Sequence, residues 1–235
     1  MIPRVIHYCW FGGNPLPKDV KKYIESWKRM CPDYSIKQWD ESNFDISSNS
    51  FAQKAYEAKC WAFVSDYARL DIIYKYGGIY LDTDVELINS LDSLLEYNSF
   101  FAIQQVGCYC ATGLGFGARK GNEVVSLMLK EYEGLVFDEN NKSKIMCPVL
   151  NTNAILKKGF VQENEFQVID NNVLLPSMYM DPISPGAKEG LLSDESISIH
   201  HYAALWMPKK YKLKRKIINM IGQDRINGLR QMFKR

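Results

Sequence analysis

The sequence predicts a single α/β domain, and three stretches carry that prediction. Val5-Ile6-His7-Tyr8-Cys9-Trp10 is an apolar run closed by Phe11-Gly12-Gly13-Asn14-Pro15, the pattern of a buried first strand and its turn. Lys18 to Met30 sets Val20, Tyr23, Ile24 and Trp27 at helical spacing between lysines, an amphipathic surface helix. Cys60 to Glu86, CWAFVSDYARLDIIYKYGGIYLDTDVE, reads as a helix, a two-glycine turn, a short buried strand and two aspartates at the strand's exit.

In that central stretch, Ala62, Val64, Tyr67, Ala68, Leu70, Ile72, Ile73 and Tyr76 place most of their apolar side chains on one helical stripe. Gly77-Gly78 ends the helix, because glycine takes the left-handed conformation of a C-cap. Ile79-Tyr80-Leu81 is the strand, and Asp82 and Asp84 follow as alternate residues able to point to one side. Ligands of open α/β sheets bind outside the carboxyl ends of the strands. Two carboxylates there, next to a phosphate, suit Mg²⁺ or Mn²⁺. The bare Asp-x-Asp triplet is weak evidence, since about one arises by chance in a chain this long. Its company is more specific: Ser65-Asp66-x-x-Arg69, then Gly77-Gly78-x-Tyr80-Leu81-Asp82-x-Asp84. Asp66 and Arg69 share one helical face, so they pair with each other or with a common ligand.

Elsewhere, Tyr34 to Trp39 alternates as a strand and ends in Asp40-Glu41-Ser42-Asn43. Phe100 to Gln104 and the glycine-spaced Gly113-Leu114-Gly115-Phe116-Gly117 read as two further strands, the glycines marking close backbone approach. Asn122 to Tyr132 is a helix capped by Asn122 or Gly121. Phe166-Gln167-Val168-Ile169 and Val173-Leu174-Leu175-Pro176 are short late strands, and Ile197 to Trp206 closes the domain.

Composition bounds the rest. With 235 residues, 46% apolar and 24% charged, the chain supports one sizeable core. No secretory leader and no membrane-length apolar run are visible, and the six cysteines form no zinc or disulfide pattern. A cytoplasmic protein with reduced thiols is expected. Residues 208–235 hold ten Lys and Arg against one Asp, whereas the other 207 residues hold 19 against 26 Asp and Glu. A domain over 1–207 with a basic amphipathic helical tail over 208–235 follows. The tail fits peripheral contact with the anionic inner face of a membrane, or a solvated helix packed on the domain. An acidic body without a recognition motif argues against nucleic acid.

The compound pattern, the opening His7-x-x-Trp10-x-Gly12 and the closing His200-His201-x-x-x-x-Trp206 resemble the sugar-binding Asp-x-Asp glycosyltransferases of family 32, which are similar to the catalytic domains of large clostridial glucosylating toxins. The resemblance implies a single GT-A type nucleotide-binding domain with a mixed, mostly parallel central sheet flanked by helices. It also implies a metal-dependent retaining enzyme that moves a hexose from a nucleotide sugar, a UDP-sugar, to a glycan acceptor, lipid-linked and of the bacterial capsule or surface-polysaccharide kind. In that scheme Trp10 stacks on the base, Asn43 contacts the nucleotide, and Asp66 holds sugar hydroxyls. Arg69 offsets diphosphate charge, Tyr80 bonds phosphate or sugar, and Asp82, Asp84 and His201 (with His200 as alternate) hold Mn²⁺ or Mg²⁺. Read without the family, Trp10 is rather a core aromatic and His7 a packed or hydrogen-bonded strand residue, and Asn43 is equally a cap or turn residue. Alternatives of other classes are a protein-modifying effector, a non-catalytic carbohydrate- or nucleotide-binding protein, and a phosphatase of the haloacid dehalogenase type. Glu86 and the late position of the aspartates oppose the last.

Overall fold

The computed structural model describes residues 1–203; Trp206 and the tail over 208–235 lie outside the described residues. The elements are β1 (Val5–Cys9), α1 (Lys18–Met30), β2 (Ser35–Trp39), α2 (Ser50–Glu57), α3 (Trp61–Tyr76), β3 (Gly78–Tyr80) and β4 (Val85–Leu87). They continue with β5 (Ser99–Ala102), β6 (Phe116–Ala118), α4 (Glu123–Lys130), α5 (Cys147–Lys158), β7 (Gln167–Ile169), β8 (Asn172–Leu175), α6 (Ser177–Met180) and β9 (Ser198–His200).

Among the described residues, seven strands form one sheet in the order β2-β1-β3-β6-β5-β8-β7. β1 is parallel to β2 and β3, and β5 to β8, whereas β6 and β7 run against their neighbours. Five of the seven strands therefore point one way, the mixed, mostly parallel sheet expected. Side chains alternate across it. Phe101 and Ile103 pack on the side of α2, α3, α4 and α5; Ile6, Tyr8, Phe100 and Ala102 pack on the side of α1 and α6.

The register of β1 against β3 (Ile6 opposite Ile79, His7 opposite Tyr80) brings Trp10 and Asp82 out at the same edge of the sheet. His7 is a packed strand residue: Trp39 Nε1 donates to its Nδ1 at 3.0 Å, and its Nε2 lies 3.1 Å from the Gly77 carbonyl. Burial pushes its imidazole down to about 4, so it is neutral. This packing also explains one of the paired glycines. Gly78 has φ +106°, and a Cβ there would sit 2.8 Å from both His7 Nε2 and the Val5 carbonyl. Gly78 is thus the first residue of β3 as well as part of the turn.

One sequence expectation changes. The single apolar stripe on α3 is too narrow a description, because Phe63, Val64, Ala68, Leu70, Ile72 and Ile73 bury several sides of the helix while Tyr76 is exposed. A helix sandwiched between a sheet and other helices buries most of its circumference. At the closing segment, β9 pairs antiparallel with β4, Val85 opposite His200, in a two-stranded ribbon separate from the main sheet. That ribbon is anchored from below, where Trp27 of α1 is fully buried and donates from Nε1 to the Val85 carbonyl at 2.8 Å.

Trp27→Ala should cost about 3–5 kcal/mol in denaturant unfolding, because it opens a cavity and leaves a buried carbonyl without its donor. A loss below 1 kcal/mol would show that α1 does not hold the ribbon.

Candidate active site

The sheet edge where β1 and β3 end opens into a cavity of about 590 Å³. Trp10, Phe11, Trp61 and Phe63 line it together with Asp66, Arg69, Tyr80, Asp82, Asp84 and His200. The polar groups form two connected sets.

The first is built around Arg69, which α3 carries into the interior with its side chain only 5% exposed. Its Nη2 lies 2.9 Å from Asp66 Oδ1 and 3.1 Å from Asp82 Oδ1, and its Nε donates to the Ser65 carbonyl at 3.1 Å. The guanidinium sits 4.9 Å from the centre of the Tyr80 ring, and the Tyr80 hydroxyl donates to Asp82 Oδ1 at 3.0 Å. One cation thus serves two carboxylates. Burial raises Asp66 to about 6 despite the charge of Arg69, while the two aspartates help keep Arg69 firmly protonated.

The second set joins Asp82, Asp84 and His200, whose ligand atoms all lie within 4.8 Å of one another. His200 Nε2 is 3.1 Å from Asp84 Oδ1, and the Ala203 N–H donates to Asp84 Oδ2 at 2.8 Å. Burial would raise Asp84, but the His200 charge and these hydrogen bonds hold it down at about 2. Burial lowers His200, and the adjacent Asp84 more than offsets this, so the imidazole rests above its usual value. Burial and the Asp84 charge raise Asp82. Two hard oxygens and an imidazole nitrogen at this spacing fit a divalent cation such as Mn²⁺ or Mg²⁺.

Six of the residues predicted from sequence meet here: Trp10, Asp66, Arg69, Tyr80, Asp82 and Asp84. Trp10 is partly buried, with its Nε1 donating to the Asn14 carbonyl at 2.6 Å. Two do not meet. Asn43 stays outside the cavity lining and closes its own turn, accepting from the Asp40 N–H at 2.9 Å and donating to the Gln38 carbonyl at 3.0 Å. His201 is turned away from the aspartates: its Nε2 lies 2.9 Å from Glu86 Oε2, and its ring stacks on Tyr23 at 4.6 Å. The alternate, His200, takes the place beside Asp84, because the β4–β9 register sets Val85 opposite His200.

Gly113 was visible only as one of three spaced glycines. Its carbonyl accepts from the Asp82 N–H at 3.4 Å, and a Cβ there would overlap Asp82 Oδ2 and lie 3.0 Å from Arg69 Nη1. Cys147, the first residue of α5, also reaches this site. Its Sγ receives Asn151 Nδ2 at 3.0 Å and faces Arg69 Nη1 at 3.8 Å. The chain's six cysteines are free thiols.

The mixed, mostly parallel sheet flanked by helices is of the GT-A type. The solved PaToxG glycosyltransferase shares it, with a TM-score of 0.50 and 18% identity over 67% of this chain and 69% of that one. Residues 17–101 match the family described as the glycosyltransferase sugar-binding region containing the DXD motif. The chain is 25% identical over 201 residues to an uncharacterized glycosyltransferase of Acanthamoeba polyphaga mimivirus, covering 79% of this chain and 78% of that protein. It is 34% identical over 100 residues to inositol phosphoceramide mannosyltransferase 3 of Schizosaccharomyces pombe, covering 41% of this chain and 28% of the yeast enzyme. Over residues 17–101 the chain thus resembles the DXD-containing sugar-binding region of glycosyltransferases, and the relatives it matches are glycosyltransferases.

Gly113→Ala should push the Asp82 carboxylate off Arg69 at a cost of about 1–3 kcal/mol in stability. Cation-dependent stabilisation should disappear in the same variant. A folded Gly113→Ala that still responds to Mn²⁺ like the wild type would contradict this packing.

Proposed function

We propose that the chain transfers a hexose, with retention, from a nucleotide sugar of the UDP type to a glycan acceptor, using Mn²⁺ or Mg²⁺ held by Asp82, Asp84 and His200. The observation that carries the reading is the convergence of those three ligand atoms, within 4.8 Å, on the cavity that also holds the Asp66–Arg69 pair. A bound cation would neutralise charge on the departing diphosphate. Everything else falls to side chains already placed. Trp10 offers a flat apolar face for the base at the aromatic end of the cavity. Asp66, ionised above about pH 6, accepts from sugar hydroxyls. Arg69, preorganised between two carboxylates, meets negative charge as it develops on the leaving group. Retention comes from the family resemblance: the leaving phosphate oxygen takes the acceptor's proton on the same face, so no side chain is assigned as nucleophile.

The acceptor is read as a lipid-linked glycan of bacterial capsule or surface polysaccharide type. The yeast relative supports a lipid-bearing acceptor, since its name states that it mannosylates inositol phosphoceramide. The basic segment 208–235 fits docking of a cytoplasmic enzyme on the inner face of the membrane. Among the described residues no helix is long and apolar enough to cross a membrane.

Thermal unfolding with a panel of nucleotide sugars, with and without Mn²⁺, tests the reading. One UDP-sugar should raise the melting temperature only when Mn²⁺ is present, with about 2.7 kcal/mol of stabilisation at one hundred times Kd. Asp84→Ala and His200→Ala should abolish the rise, and His201→Ala should keep it. No rise with any nucleotide sugar would overturn the reading.

A further inference from the structure

Asp181 is fully buried in the segment after α6, outside the set described above. Its Oδ2 accepts from the Gln105 N–H at 2.9 Å and its Oδ1 from the Tyr202 hydroxyl at 2.9 Å. These bonds reach two separate loops of the cavity wall, one carrying Gln104 and the other His200 and Tyr202. Tyr202 packs edge-on against the His200 imidazole, with centroids 4.1 Å apart and planes at 82°. It does so at φ +48°, a conformation that non-glycine residues hold only where their surroundings impose it. Ser184 Oγ, 3.3 Å from the same hydroxyl, adds to that restraint. On His200 itself, only Nε2 has a partner: among the described residues Nδ1 is buried and makes no hydrogen bond. The orientation of the ring is therefore set by Asp84 on one side and by Tyr202 on the other.

We propose that Asp181 is a positioning residue for the metal-binding centre, fixing His200 through Tyr202 and locking the Gln104–Gln105 loop to the same point. A carboxylate suits the position because it is acceptor-only and meets two donors, a backbone N–H and a phenol O–H. An asparagine of the same shape presents an NH₂ to one of those donors and loses that bond. The inference rests on the assignment of His200 as a metal ligand. Partners behind a metal-binding histidine typically change metal affinity about ten- to hundredfold when removed.

The test uses the full chain with Asp181→Asn and Tyr202→Phe. Mn²⁺ affinity is measured by calorimetry, and the ¹⁵N imidazole signals of His200 are followed in the metal-free protein, assigned by comparison with His200→Gln. Both variants should bind Mn²⁺ about ten- to hundredfold more weakly and should shift the His200 signals. Folded variants with wild-type Mn²⁺ affinity and unmoved His200 signals would overturn the proposal. Should Asp181→Asn fail to fold, Tyr202→Phe, which removes one hydroxyl, decides through the same two readouts. A wild-type protein without Mn²⁺ affinity would refute the metal assignment, and the metal-free His200 signals would then decide the positioning claim alone.

Discussion

The burial of Arg69 between Asp66 and Asp82 is the constraint on which the rest of the site depends. An unpaired guanidinium in that environment costs several kcal/mol, and so does either carboxylate without it. The three charges therefore fix one another, and they fix α3 against the exit of β3. The consequences spread outward. Gly113 must lack a side chain, because its backbone passes where a Cβ would strike Asp82. Tyr80 must lay its ring against the guanidinium while its hydroxyl shares Asp82. The same arrangement that stabilises the fold leaves one cation and two carboxylates already desolvated and aimed at the cavity. Electrostatic preorganisation of this kind is what the transfer of a charged leaving group requires.

A second constraint operates at long range. Asp84 is anchored by residues well over a hundred positions later, through the imidazole of His200 and the N–H of Ala203. The ribbon of β4 and β9 makes that possible, and Trp27 of α1 holds it through the Val85 carbonyl. The two aspartates thus belong to different support systems: Asp82 to the buried triad on α3, Asp84 to the ribbon that closes the chain. Their different proton affinities, Asp82 raised and Asp84 held near 2, record those different surroundings.

The elements legible in the sequence were those with a strong local signal. α1 and β2 follow their periodicities, and Asn122 caps α4 through its side chain. α6 and β4 carry too few residues to show a period, and β4 finds its strand partner in the distant β9. Tertiary register decided the rest. Nothing local distinguishes His200 from His201; the pairing of Val85 with His200 does. Asn43 looks the same in sequence whether it meets a ligand or closes a turn, and its hydrogen bonds show the turn. The glycines at 113, 115 and 117 announced close approach, but their neighbours come from α3, β3, β5 and α6, which no local pattern names.

The most direct test of the central claim is anomalous diffraction at the manganese edge from crystals grown with Mn²⁺ and UDP. The account predicts one strong peak between Asp82, Asp84 and His200, with the diphosphate on its open side and Trp10 against the base. A peak on Glu86 and His201, or UDP bound away from the Asp66–Arg69 pair, would contradict it.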